Sequence, residues 1–142
     1  MNSIYIKIFL LSALILISLV VEPAFSDYMV IVNTENPITE ISKKDLKRIY
    51  MMKKTEWNND GVIQPVNLKE NNAARKEFSE SVLGKSSKKM EVYYLKRALA
   101  GIVQPPRSVR SDEDVIRYIF YNPGAVGYVS KADNTVKVIR VK

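Results

Sequence analysis

Residues 62–84, VIQPVNLKENNAARKEFSESVLG, pass from one periodicity to another within a single stretch, and that change limits the folds open to the chain. Val62, Ile63 and Val66 form a short β-prone run, whereas Ala74, Phe78 and Val82 recur at the i, i+4, i+8 spacing of one helical face. Asn71 or Asn72 is placed to cap the helix, and Gly84 to end it. The result is a strand, a polar loop and a helix in direct succession. A helix start of this kind offers free backbone N–H groups and the positive end of the peptide dipoles, so the loop is a candidate anion site. Many such junctions bind nothing.

The flanking sequence extends the same alternation. Residues 28–32, YMVIV, read as a strand buried on both faces, as in a parallel sheet. Ser42 followed by Asp45 predicts a helix from Lys43 to about Met52, with Leu46, Ile49 and Tyr50 inward and Lys43, Lys44, Lys47 and Arg48 on a solvated or docking face. Asp60-Gly61 marks a turn, and Trp57 in that loop is suited to clamping it to the core. Pro65 cannot donate to a ladder, which suggests an edge or a strand end.

Further along, 85–87 offer a cap for a helix carrying Met90, Tyr93, Tyr94, Arg97 and Ala98, and 104–107, QPPR, read as an extended connector. Ser111 opens a last helix with Asp112, Glu113 and Asp114 in its first turn and Val115, Ile116, Ile119 and Phe120 inward; Asn122-Pro123-Gly124 stops it. The three acids suit the helix dipole without a metal. Residues 125–129 and 136–141 form two closing strands, the second near an edge, joined by a turn at Asp133-Asn134. The order β, α, β, α, α, α, β, β predicts an α/β protein with three layers around a small sheet. Ligands in such sheets sit beyond the carboxyl ends of the strands, which groups 33–36, 67–74 and Ser130 around one site.

The first residues stand apart from this domain. Lys7 precedes an apolar run over 8–21, and Ala24 and Ser26 are small at the positions that a signal peptidase reads, so 1–26 is expected to be a cleaved export signal and 27–142 a single domain. The apolar run is shorter than the roughly 20 residues of a membrane span, although a retained anchor is the alternative. Removing Lys7 and Glu22 leaves the net charge at +7. That balance in an exported chain favours anionic solutes or surfaces over nucleic acid. With no cysteine and no histidine, disulfides, thiolate or Ser-His catalysis and the common zinc ligand sets are excluded. No cofactor and no enzymatic activity are expected.

Three segments together carry a resemblance. Val30-Ile31-Val32-Asn33, then Lys44-Asp45-Leu46-Lys47-Arg48-Ile49-Tyr50 leading to Lys54-Thr55-Glu56-Trp57, then Asn122-Pro123-Gly124-Ala125-Val126-Gly127-Tyr128-Val129, resemble the substrate-binding protein of bacterial phosphate ABC transporters. The resemblance implies a three-layer α/β/α single lobe of the type 2 periplasmic-binding-protein fold, a periplasmic location and phosphate or a similar oxyanion as solute. The family's phosphate loop, Arg-x-Asp-Gly-Ser-Gly-Thr, aligns with 68–74, LKENNAA. Its arginine is Leu68 here, and its hydroxyls fall at Asn72 and Ala74. The candidate ligand-binding residues are therefore Lys69, Asn71, Asn72, Ala73 and Ala74, with Arg75 as a helper from the first helical turn. A lone lobe leaves the anion hydrated and weakly held unless a second copy or an envelope protein completes the cleft. The altered loop also admits a second reading, a single-lobe interaction module that has lost phosphate binding.

Overall fold

The computed structural model describes residues 28–58 and 61–142, so the expected signal and part of the Asp60-Gly61 turn lie outside the described residues. The chain runs β1 (Met29–Val32), β2 (Glu40–Ile41), α1 (Lys43–Tyr50), β3 (Gln64–Leu68), α2 (Ala73–Phe78), a π-helical turn (Ser79–Leu83), α3 (Ser87–Leu99), β4 (Arg107–Val109), α4 (Asp112–Tyr121), β5 (Ala125–Val129) and β6 (Lys137–Val141). The six strands form one sheet in the order β2-β6-β1-β5-β3-β4.

The N-caps behave as their side-chain chemistry dictates. Ser42, Ser86 and Ser111 each accept the backbone N–H three residues on, at Asp45, Lys89 and Asp114. Each bond satisfies a donor that the helix itself cannot. At the far end of the second helical unit the π turn brings Ser79, Val82 and Leu83 inward together, and Gly84 (φ 67°) closes it in the left-handed region. A continuous α-helix over this segment, as the 74/78/82 spacing suggests, would not bury Ser79 and Leu83 with Phe78.

Side chains alternate across β5, and this sorts the helices into layers. Tyr128 stacks on Phe78, with ring centroids 3.9 Å apart, and Tyr50 meets Phe78 edge-on at 4.7 Å, so α1, α2 and the π turn cover one face. Gly127 faces the other way. A methyl group there would lie 2.7 Å from Val115 and 3.0 Å from Ile119, so α4 covers the opposite face at van der Waals contact. The architecture is three-layer α/β/α. Trp57 is buried and donates its Nε1 to the Gly124 carbonyl at 3.0 Å, clamping its loop as expected.

Several expectations are corrected. β1 is central and its last three residues are buried, but it runs antiparallel to both neighbours, β5 and β6. Of the two alternatives for Pro65, the edge is corrected and the strand end holds: it is the second residue of the interior strand β3 and pairs with Val126 of β5, and β4 joins only from Val66, so no ladder partner is deprived. The 104–107 connector runs into β4, an edge strand parallel to β3. Phe120 is 51% exposed instead of buried, because the helix face that meets the sheet is set by Val115 and Ile119.

Candidate functional site

β3 and β5 are parallel, so their carboxyl ends lie at the same end of the sheet, and the polar loop 69–72 leaves β3 there. The Lys69 N–H is held by the Val109 carbonyl at 3.0 Å, continuing the β3–β4 ladder by one step. The Asn72 N–H then returns to the Lys69 carbonyl at 3.0 Å, closing a tight turn. Of the two asparagines, Asn72 is the cap: its Oδ1 accepts from Ala74 N at 2.9 Å and Arg75 N at 3.3 Å. Lys69, Asn71 and Ala73 are exposed and Asn72 is half-buried. Among the described residues no hydrogen bond reaches the Ala73 N–H, which as the first helical residue lacks an acceptor within its own helix.

Ala74 and Arg75 face inward. Arg75 is 1% exposed, donates Nη1 to the Leu68 carbonyl at 2.7 Å and Nη2 to Glu91 at 2.8 Å, and leaves Nε unpartnered. Its guanidinium thus underlies the carboxyl end of β3 and ties it to α3. Sequence spacing puts Arg75 in the first helical turn; the direction of its side chain is fixed by packing.

Below the loop lies a layer of neutral hydroxyls. The Tyr128 OH donates to Asn67 Oδ1 at 2.7 Å, and the Leu68 N–H points at the same hydroxyl at 3.4 Å. The Tyr50 OH reaches the Val66 carbonyl at 2.9 Å, and the Tyr94 OH reaches the Tyr50 carbonyl at 2.6 Å. Burial pushes all three phenols well above the ordinary tyrosine range, so none is available as a base.

The other expected members of the site separate. Ser130 does lie at this end, after β5, but its N–H and hydroxyl and the Lys131 N–H all donate to Asp112 Oδ2. A carboxylate of the chain therefore fills that pair of amides. Asp112 was assigned above only to the helix dipole; the residue type at a helix start gave no sign of this second contact. Residues 33–36 lie at the opposite end, because β1 is antiparallel to β3 and β5. There the Asn33 side chain donates to the carbonyls of Ile119 and Phe120, closing the end of α4. Of the remaining acids, Asp114 pairs with Arg117 at 3.0 Å. Among the described residues no three His, Cys, Asp or Glu side chains gather as a metal set would.

A separate depression of about 390 Å³ lies beside β2 and the Trp57 loop, lined in part by Ile38, Ser42, Asp45, Lys54 and Trp57. Its charges are internally balanced, Asp45 with Lys54 and Glu40 with Lys142. The arrangement at the β3 end can donate hydrogen bonds and one positive charge to an anion. No nucleophile with an adjacent base is present there.

Comparison with known proteins adds to this geometry. The family model described as the PBP superfamily domain matches residues 21–139. Among solved structures, an ABC-type phosphate transport receptor from Vibrio cholerae aligns with a TM-score of 0.63 at 25% identity, over 80% of this chain and 45% of that one. A putative phosphate ABC transporter substrate-binding protein with bound phosphate from Clostridium perfringens gives 0.64 at 20%, over 80% and 44%. PstS from Borrelia burgdorferi gives 0.62 at 18%, over 81% and 47%. The chain thus spans less than half the length of each. No curated protein sequence matches it. No helix among the described residues is long and apolar enough to cross a membrane.

Proposed function

Because the chain belongs to the PBP superfamily, we propose that it is an exported, non-enzymatic solute-binding lobe that takes phosphate or a similar oxyanion, weakly, on the 69–73 loop. What carries this reading is the conjunction of a fold shared with phosphate receptors and a loop in that fold bearing an exposed lysine and an unpartnered N–H. Lys69 supplies the charge, while the Asn71 and Asn72 amides and the Ala73 N–H donate. Ala74 and Arg75 serve the loop from within, through the Asn72 cap and the bond to Leu68. Residues 1–26 act as the export signal, 27–142 form the mature domain, and the site of action is the periplasm.

An anion on this loop stays hydrated on one side, so its affinity is low and falls with salt. A bidentate arginine would have given planar, charge-assisted recognition; Lys69 gives a point charge. A second reading, an interaction module that no longer holds phosphate, is favoured by one observation: the Ala74, Arg75, Ser130 and Lys131 amides are all taken by Asn72 and Asp112.

Calorimetric titration with phosphate and then sulfate, at low and at moderate salt, separates the two. Saturable heat supports the oxyanion reading, and its absence at low salt supports the module. In Asn72→Asp the cap is kept, since aspartate caps as well as asparagine, but a carboxylate now meets the anion. Affinity should fall by about tenfold or more through like-charge repulsion, with no loss of folding. Unchanged affinity would remove the loop from consideration.

A further inference from the structure

The outer side of α3 does not have the composition of an ordinary solvated helix face. Val92, Leu95 and Leu99 follow one another at i, i+3, i+7 and are 47%, 58% and 80% exposed, and Ile102, just past the helix, continues the ridge at 59%. Lysines surround them. Lys85, Lys88, Lys89 and Lys96 are exposed and none has a carboxylate partner among the described residues. Lys85 and Arg97 lie over the Tyr93 ring at 5.7 and 5.5 Å, which fixes the basic flank beside the ridge. Beside the ridge is an open depression of about 510 Å³ lined by Val92, Tyr93, Lys85, Lys89 and Lys96. The one acid on α3, Glu91, is engaged by Arg75.

We infer that this face of α3 is a docking surface for an anionic phospholipid membrane, with Val92, Leu95, Leu99 and Ile102 entering the acyl boundary and the lysines meeting lipid phosphates. An aliphatic ridge flanked by unpaired lysines is the pattern of a helix lying in a membrane interface, where the apolar side is buried and each lysine meets negative surface charge. A second copy of the chain is a poor occupant. Four part-exposed aliphatic side chains, each smaller than an aromatic of about 150–250 Å², fall short of the roughly 800 Å² that each partner of a stable interface contributes. A symmetric contact would also set lysine against lysine. An exposed aliphatic ridge beside lysines needs no partner of complementary shape, which a bilayer satisfies. None of its residues belongs to the 69–74 loop, so the two sites stand or fall separately.

The chain has no cysteine, so Leu99→Cys can carry a single environment-sensitive fluorophore, and Glu113→Cys on α4 serves as the control position. The full chain is titrated with phosphatidylcholine vesicles and with vesicles containing phosphatidylglycerol. Docking by α3 gives a blue shift at position 99 and none at 113, with phosphatidylglycerol preferred and the preference removed by salt. Replacing Lys85, Lys89 and Lys96 together by glutamine should weaken binding on the order of a hundredfold, at roughly fivefold for each lysine. Equal shifts at 99 and 113, or equal binding to both vesicles, would mean that the apolar run at 8–21 brings the chain to lipid, and would overturn the inference. So would a shift at 99 that grows with protein concentration without vesicles, which is self-association.

Discussion

Replacing Arg75 by alanine tests whether its guanidinium is part of the interior or part of the anion site. In the structure the side chain is 1% exposed, with one bond to the Leu68 carbonyl and one to a Glu91 whose side chain is 48% exposed. Truncation removes two buried methylenes, worth about 0.8 kcal/mol each. It also removes a charged hydrogen bond worth about 1.5–3 kcal/mol and a pair with a half-exposed carboxylate worth less than about 1 kcal/mol. Against these stand about 2 kcal/mol of released side-chain entropy and the relief of an unpartnered Nε, about 1 kcal/mol or more. The net cost is about 1–2 kcal/mol, which in a domain of this size lowers Tm by roughly 5–10 °C. Arg75→Met keeps most of the stem and removes the buried charge, so it should cost about 1 kcal/mol or less. Urea unfolding followed by the fluorescence of Trp57, the sole tryptophan, measures both. If Arg75→Ala left the urea midpoint unchanged but abolished phosphate heat, the guanidinium would face the anion and the buried assignment would be wrong.

Gly127→Ala should destabilise by about 1–3 kcal/mol, because the added methyl would stand 2.7 Å from Val115 Cγ1 and 2.8 Å from Val66 Cγ1, and valine side chains have little rotamer freedom with which to yield. An unchanged melting temperature would mean that α4 rides farther from the sheet. The Glu40 carboxyl is held below its ordinary value by hydrogen bonds from Lys142 and Arg140, which pin β2 to β6. For a depressed carboxylate the contribution to stability is present above the ordinary range and is lost as pH falls through the folded value. Glu40→Gln should therefore flatten the acid limb of the stability profile, and an ordinary Glu40 pKa by NMR titration would remove the basis for that.

What was legible in the sequence was local. Ser42 and Ser111 could be identified as caps, and the other two caps narrowed to 71–72 and 85–87, because a capping side chain bonds a backbone N–H within three residues of itself; the structure selects Asn72 and Ser86. Leu46, Ile49 and Tyr50, or Ala74, Phe78 and Val82, identify their buried faces for the same reason. The strands β2 and β4 were not legible, since Glu40-Ile41 and Arg107-Ser108-Val109 have no alternation of their own and exist because β6 and β3 offer them an edge. The direction of β1 was equally hidden: Val30, Ile31 and Val32 are apolar enough for burial whichever way the strand runs, and its antiparallel setting carries Asn33 to the far end from Lys69. Arg75 and Asp112 show the corresponding limit for the site, because position in a helix says where a side chain starts and not which neighbour receives it.

The segments that carry the family resemblance can be assigned physical tasks, and those tasks belong to the interior. Leu46, Ile49 and Tyr50 are fully buried, and Trp57 closes its loop on Gly124. Gly124 is required because a methyl group there would lie 2.1 Å from the Val62 carbonyl oxygen, and Gly127 because α4 occupies the space above it. Tyr128 completes the aromatic stack and bonds Asn67. Each of these residues is specified by packing, so its task in this chain does not depend on what the lobe binds. The 69–73 loop has no such constraint: Lys69, Asn71 and Ala73 are exposed, and the loop is tied down through the Lys69 N–H bond to Val109, the Asn72 cap and the Arg75 bond, none of which needs an exposed side chain. A chain can therefore lose the arginine and hydroxyls of a phosphate loop at little cost in stability while its core sequence stays recognisable. On the proposed reading, the test of the solute therefore belongs on the loop surface, where Asn72→Asp acts, since changes to the recognisable core would alter folding first.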